Sequence, residues 1–327
     1  MRKIWWLVAA VLLTCRVSGW SQNQPKVIYG DDNRVDLYQL KDQRILALAD
    51  STVALFQGTD VTVDPATKQA RLTTESYGGG MNLCKEEPFY EQETGAFCSG
   101  SLVAADVIMT AGHCVKSQSA CEGTKFVFGF AVKKAGQLPK AVPASDVYSC
   151  GKLLGRLQEG AGADWALVKL DRPVVGHKVL ALNKAGDPAD KTPLFVIGHP
   201  AGLPTKVAGG ASVRDASPKG YFVANLDTYG GNSGSAVFNA ATLLVEGILV
   251  RGENDYVWKG NCQVSNKCPA DGCRGEDVTK LSAVLSTLPA RSRSEASVAR
   301  VTPIGEALQA VLLELASRTP DFDQARP

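Results

Sequence analysis

Three residues of this chain have the types and surroundings to do chemistry together: a serine between glycines, a histidine behind a small-residue turn, and an aspartate heading an apolar strand. Ser233 lies in Asp227-Thr-Tyr-Gly-Gly-Asn-Ser-Gly-Ser-Ala-Val237. A hydroxyl is a poor nucleophile, so acyl transfer to it needs a neighbouring base and backbone N–H groups aimed at the developing oxyanion. Gly230, Gly231 and Gly234 let the backbone turn its N–H groups inward with no side chain in the way. The same run taken alone also suits an ordinary turn, so its weight comes from two segments upstream. In Cys98-Ser-Gly-Ser-Leu-Val-Ala-Ala-Asp-Val-Ile-Met-Thr-Ala-Gly-His-Cys114 an apolar strand ends in a turn that presents His113. In Asp164-Trp-Ala-Leu-Val-Lys-Leu170 the acid opens an alternating strand. The chain holds three histidines, which narrows the choice of base. His177 follows Arg172-Pro173 in a polar linker and reads as a surface residue; His199 opens a Pro/Gly turn and reads as structural.

Taken in order, Thr110-Ala-Gly-His-Cys114, the Asp164 segment and Gly230-Gly-Asn-Ser-Gly-Ser235 resemble the motifs of the chymotrypsin-type serine peptidases. The order His, Asp, Ser is the one that family uses, and other triad folds use other orders. Within it the chain is most similar to bacterial trypsin-like and glutamyl-endopeptidase (V8-like) enzymes. Asn232 before the serine, the Gly-Asn-Ser-Gly-Ser block and Val27-Ile-Tyr-Gly-Asp-Asp-Asn-Arg-Val35 carry that likeness, which covers roughly residues 27–285. The resemblance implies Ser233 as nucleophile, His113 as base and then acid, Asp164 as holder of the imidazole tautomer, and the N–H groups of Gly231 and Ser233 as oxyanion hole. It also implies a disulfide between Cys98 and Cys114, sixteen positions apart beside the histidine.

The resemblance extends to the pocket for P1, the substrate residue before the scissile bond. Asp227 lies six positions before Ser233, where trypsin-like enzymes hold the acid at the pocket floor, so Arg or Lys is expected at P1. Thr228, Leu249 and Gly252 are assigned to the same pocket. Leu249 stands where glutamate-selective relatives need a histidine, while Arg251 is the alternative counter-ion for an acidic P1 residue. Asn232 replaces the aspartate that pairs with a freshly cut N-terminus in trypsins, which argues against zymogen locking through that ion pair. A new amino group at Val27, after cleavage at Lys26, stays compatible with the V8-like pattern.

The elements that must hold these residues read as short strands near 44–57, 68–74, 101–110, 125–131, 147–154 and 165–170. A second set lies near 194–197, 206–214, 221–225, 236–238 and 243–250. Dense short strands with turn signals indicate an all-β fold. The resemblance makes it two six-stranded antiparallel barrels with the active site in the cleft between them, the first about 27–160 and the second about 161–285. His113 and Asp164 are expected on the first barrel's side and Ser233 on the second's. Residues 58–97 read as an insertion, and 253–277 as a polar, cysteine-rich excursion. Residues 286–300 form a Ser/Arg/Ala-rich linker, and Thr302-Pro303 starts an amphipathic C-terminal helix through Ile304, Leu308, Val311, Leu312 and Leu315. That helix docks on the second barrel or serves a partner.

Met1-Arg-Lys, the apolar run 4–13 and small residues to Gly19 read as a secretory signal, followed by a short pro-segment or N-terminal extension at 20–26. Ten apolar residues are too few to span a bilayer. Thr14 before Cys15 fits a lipoprotein box poorly. Beyond Cys15, eight cysteines in an exported chain favour disulfides. Besides Cys98 and Cys114, three lie before Asp164 and three after Ser233, so full pairing requires at least one bridge between the halves. Cys262, Cys268 and Cys273 admit a zinc reading, but no histidine lies near them. The expectation is therefore no metal and no cofactor. A net charge of +2 over 327 residues gives no basic stripe for nucleic acid. Together these features predict a secreted, extracellular or periplasmic, monomeric serine endopeptidase acting on polypeptides without stable membrane association. Two rivals share the motifs. One is an HtrA-like protease, whose PDZ domain would have little room after Gly252. The other is a catalytically silent binding protein or toxin on the same scaffold.

Overall fold

The computed structural model describes residues 27–289; the expected signal peptide, pro-segment and C-terminal helix lie outside the described residues. Twelve strands build the two barrels. The first holds β1 (Thr52–Gln57), β2 (Cys98–Ala104), β3 (Val107–Thr110), β4 (Thr124–Phe128), β5 (Val147–Gln158) and β6 (Asp164–Leu170). The second holds β7 (Pro193–Gly198), β8 (Lys206–Asp215), β9 (Tyr221–Ala224), β10 (Ala236–Asn239), β11 (Val245–Arg251) and β12 (Glu276–Lys280). Around the first barrel the order is β1-β2-β3-β6-β5-β4, closing on β1. Around the second it is β7-β8-β9-β12-β11-β10, closing on β7. The two orders are the same, and every pairing in both is antiparallel. This is the expected chymotrypsin-type architecture.

The second barrel's strands read as continuous apolar runs because both of their faces are covered. Successive side chains of a strand point to opposite sides. Leu194, Val196, Val237, Leu249 and Val278 pack inside the second barrel with Phe222. Their neighbours Phe195, Ile197, Phe238, Ile248 and Val250 pack in the larger core that contains Val53, Ile108, Phe126 and Leu167 of the first. Phe195 and Phe238 stack at 4.9 Å in that shared layer.

Several expectations are corrected. Residues 44–57 are not one strand: helix α1 (Gln43–Ala49) precedes β1, with the Asp42 side chain accepting from Arg44 N and Ile45 and Ala49 buried on one face. The boundary between barrels falls beyond Leu170 and not near 160, because β6 pairs with β3 and β5. The N-terminal strand Arg34–Asp36 pairs with β8, so a segment placed with the first barrel joins the second. Within 58–97, strands Val61–Asp64 and Gln69–Leu72 form a sheet with Ala141–Pro143. Part of the supposed excursion 253–277 is a hairpin, Tyr256–Lys259 with Cys262–Ser265, and its end runs into β12.

Four disulfides account for all eight cysteines of the described residues: Cys84–Cys262, Cys98–Cys114, Cys121–Cys150 and Cys268–Cys273. The pairing beside the histidine is as expected, and Cys84–Cys262 is the required bridge between the halves. With Cys268–Cys273, that bridge leaves no thiolate at Cys262, Cys268 or Cys273 for zinc.

Candidate active site

The turn after β3 and the start of β6 bring His113 and Asp164 together because the two strands are paired, Thr110 opposite Ala166. Asp164 is almost wholly buried. Its Oδ2 lies 2.7 Å from His113 Nδ1, and its Oδ1 accepts the His113 backbone N–H at 3.0 Å. A carboxylate at that distance makes Nδ1 the protonated nitrogen and leaves the Nε2 lone pair available. Asp164 is also tied across the cleft. The Thr279 hydroxyl of β12 accepts from Asp164 N and donates to Asp164 O, both at 3.0 Å. One residue pair therefore fixes the acid relative to the second barrel.

Ser233 follows Gly230-Gly231-Asn232 in the loop before β10. Its carbonyl accepts from Ser99 N at 2.8 Å and stands 3.7 Å from Cys114 Sγ, which sets the loop against the residue next to His113. Gly231 has φ +86°, and a Cβ there would lie 2.6 Å from both Gly202 N and His199 O. Only glycine meets both demands without strain. The Gly230 carbonyl accepts Ala201 N at 2.5 Å, and the Gly231 carbonyl accepts the Ser99 hydroxyl at 2.9 Å. In a trans peptide C=O and N–H point to opposite sides. With the Gly230 carbonyl held by Ala201, the Gly231 N–H is turned away from it. Gly230 N in turn donates to Asp255 Oδ2 at 2.9 Å.

The other two histidines do structural work. His199 is fully buried, with Nδ1 3.2 Å from Ser99 Oγ and Nε2 3.1 Å from Thr205 Oγ1. Burial, with the nearby Lys206 charge, lowers its pKa to about 3, so it stays neutral. His177 is not the surface residue expected: its side chain is only 9% exposed, stacks on Phe128 at 4.2 Å and bonds Asp50 at 2.9 Å. Burial opposes its charge, but the Asp50 hydrogen bond and the charges of Asp50 and Asp146 outweigh it and raise its pKa.

The pocket residues are arranged differently from the sequence reading. Both carboxylate oxygens of Asp227 accept backbone N–H groups, from Tyr29 at 2.7 Å and Asn33 at 2.9 Å. Asp227 thus braces the N-terminal segment 27–33, and the expectation of a carboxylate open to a substrate cation is not met. Burial, and then the charge of Asp32, push its pKa up to about 7 despite those two donors. Arg251, the alternative counter-ion, is committed: Nε lies 3.0 Å from Asp277 Oδ2, and Nη2 donates to Gly162 O at 2.7 Å. Leu249 is buried in the second barrel's core. Thr228 donates to Glu276 Oε2 at 3.0 Å, and Gly252 lies against the same carboxyl group. Sequence reasoning missed Ser99, Glu276 and Thr279; only the last two share a signal, the alternation of Glu276-Asp-Val-Thr-Lys280 around Val278.

Two antiparallel barrels of the same strand order, with a His–Asp pair on one and a glycine-flanked serine on the other, are the chymotrypsin-type arrangement. Residues 98–248, which include His113, Asp164 and Ser233, match the family described as the trypsin-like peptidase domain. The chain is 32% identical over 114 residues to chymotrypsin-like elastase family member 3B of Macaca mulatta, covering 33% of this chain and 44% of that protein. The human protein of that name is likewise 32% identical, over 33% of this chain and 42% of its own length. The chain thus spans less than half the length of the curated relatives it matches. Among solved structures, a Glu endopeptidase in complex with MPD aligns at 17% identity and TM-score 0.45, over 79% of this chain and 96% of that one. The VesB protease of Vibrio cholerae aligns at 15% identity and TM-score 0.46, over 79% of this chain and 66% of that one.

Proposed function

We propose that this chain is a secreted serine endopeptidase that cleaves polypeptides through an acyl-enzyme on Ser233, with Arg or Lys preferred at P1. The observation that carries this reading is the His113–Asp164 pair at 2.7 Å, set beside a glycine-flanked Ser233 whose backbone is pinned to the histidine's own hairpin. His113 Nε2 takes the Ser233 proton as Oγ attacks the scissile carbonyl carbon. Asp164 holds the tautomer and stabilises the imidazolium. The carbonyl π electrons move onto oxygen, where the N–H groups of Gly231 and Ser233 stabilise the negative charge. Collapse breaks the C–N bond, His113 gives its proton to the leaving amine, and water repeats the cycle to release the acid. Four disulfides support an oxidising compartment outside the cytosol. The chain acts as a monomer and needs no metal or cofactor.

Ser233→Ala and His113→Ala test the roles. Each should lower peptidase kcat/KM by about 10⁴-fold or more, leaving the residue contributed by the oxyanion hole and substrate binding. Either variant retaining activity within about tenfold of the wild type would contradict the mechanism.

A further inference from the structure

We infer that His199, in the turn after β7, is a positioning residue for the loop 230–233: its ring, protonated on Nδ1, commits the Ser99 hydroxyl to the Gly231 carbonyl. The inference rests on the peptidase reading above and deepens it. The Gly231–Asn232 peptide lies between the two peptides whose N–H groups are the proposed oxyanion donors. That middle peptide is held at both ends. Ser99 Oγ donates to Gly231 O at 2.9 Å, and Asn232 N donates to Tyr229 O at 3.0 Å.

The tautomer follows from counting protons. A hydroxyl has one proton to give and two lone pairs to accept with. Ser99 Oγ has three neighbours: Gly231 O at 2.9 Å, His199 N at 3.0 Å and His199 Nδ1 at 3.2 Å. Thr205 Oγ1, just before β8, lies 3.1 Å from His199 Nε2 and 3.0 Å from Phe130 O. Burial and the Lys206 charge keep the ring neutral, so it carries a single proton. Phe130 stacks over it at 6.0 Å and fixes its plane. Two orders of the chain are then open. With the proton on Nδ1, the ring donates to Ser99, Ser99 donates to Gly231 O, and Thr205 donates to Nε2. Phe130 O gives up the Thr205 hydroxyl but keeps the Thr205 N–H at 2.8 Å. With the proton on Nε2, the ring donates to Thr205, Thr205 donates to Phe130 O, and the Ser99 proton turns to Nδ1. Gly231 O then loses the Ser99 hydroxyl. Ser99, His199, Thr205 and Gly231 are all buried, and a buried acceptor stripped of its donor is costly. The first order spares Gly231 that loss, and it is the one that holds the loop.

Long-range proton–nitrogen correlation spectra of the full chain labelled in histidine read the tautomer in the wild type. The His199 ring is the one that stays neutral through the ordinary histidine range, and it should show a protonated Nδ1 and a bare Nε2. Kinetics test the consequence. An Asn amide reaches the place of Nδ1, and a Gln amide reaches the place of Nε2. His199→Asn should keep peptidase kcat within about threefold of the wild type, whereas His199→Gln should lower it about tenfold at little changed KM. Added to Ser99→Ala, His199→Gln should cost no more than Ser99→Ala alone, because it acts through that hydroxyl. A ring protonated on Nε2, equal losses in the Asn and Gln variants, or losses that multiply to about 100-fold in the double variant would overturn the assignment. A wild type with Nδ1–H on His199 that cleaves no peptide and forms no phosphonate adduct at Ser233 would instead refute the peptidase reading and leave the hydrogen-bond order intact.

Discussion

Asp227 shows how a residue at the expected position takes a different role. Position alone marked it as a pocket acid, yet its two oxygens serve backbone donors of the segment 27–33. Its partners lie 194 and 198 residues away in sequence, beyond the reach of any local pattern. The consequence is a pH effect. The folded pKa of about 7 lies above the ordinary carboxyl value, so the native state holds a proton that the unfolded chain gives up earlier. Stability from this site is full below the unfolded value and falls as pH rises through about 7. Thermal unfolding of Asp227→Asn should therefore show a flatter dependence between about pH 4 and 7 than the wild type. A steeper loss in the variant would mean that the carboxylate, not the acid, is the stabilising form. Glu276 escaped the sequence reading for a related reason: it stands in a polar, cysteine-rich stretch whose last residues pair with β9 and β11 only in the folded barrel.

At the level of elements, the His113–Asp164 pairing and the glycine-flanked turn at Ser233 were legible because their motifs are local. Thr110 to Cys114, Asp164 to Leu170 and Gly230 to Ser235 each contain both the reactive residue and the strand or turn that presents it. The support for the loop 230–233 was not. Ser99 at the start of β2 donates to the Gly231 carbonyl at 2.9 Å and accepts the His199 N–H at 3.0 Å, so β2 and the turn after β7 hold the loop jointly. Ser99→Ala should release that carbonyl and let the peptide relax. We expect kcat to fall by about tenfold, a fraction of the loss when an oxyanion donor itself is removed, with KM little changed. A rise in KM at constant kcat would show that Ser99 serves substrate binding and not the hole. The strand expected over 44–57 failed because Asp42 caps a helical turn whose Ile45 and Ala49 face the core, a 3.6-residue period hidden among alternating residues.

Across the whole molecule, the first barrel carries His113 and Asp164, the second carries Ser233, and side chains of β11 and β12 cross between the barrels to lock them in register. Arg251 reaches Gly162 O at 2.7 Å and Thr279 clasps Asp164, so the segment leading into β6 is held at two successive points. Cys84–Cys262 adds a covalent tie between the loop before β2 and the hairpin before β12. That the chain would form two barrels followed from its strand density and motif order. The exchange of Arg34–Asp36 into the second barrel did not, because sequence proximity favours the first. The proposed mechanism assigns the reactivity to one oxygen, Ser233 Oγ. Intact-mass and peptide mapping after exposure of the full chain to a fluorophosphonate measures it directly. The account predicts a single adduct on Ser233 that is absent or formed about 10³-fold more slowly in His113→Ala. An unmodified Ser233 in the folded wild type, or an adduct unaffected by loss of His113, would contradict it.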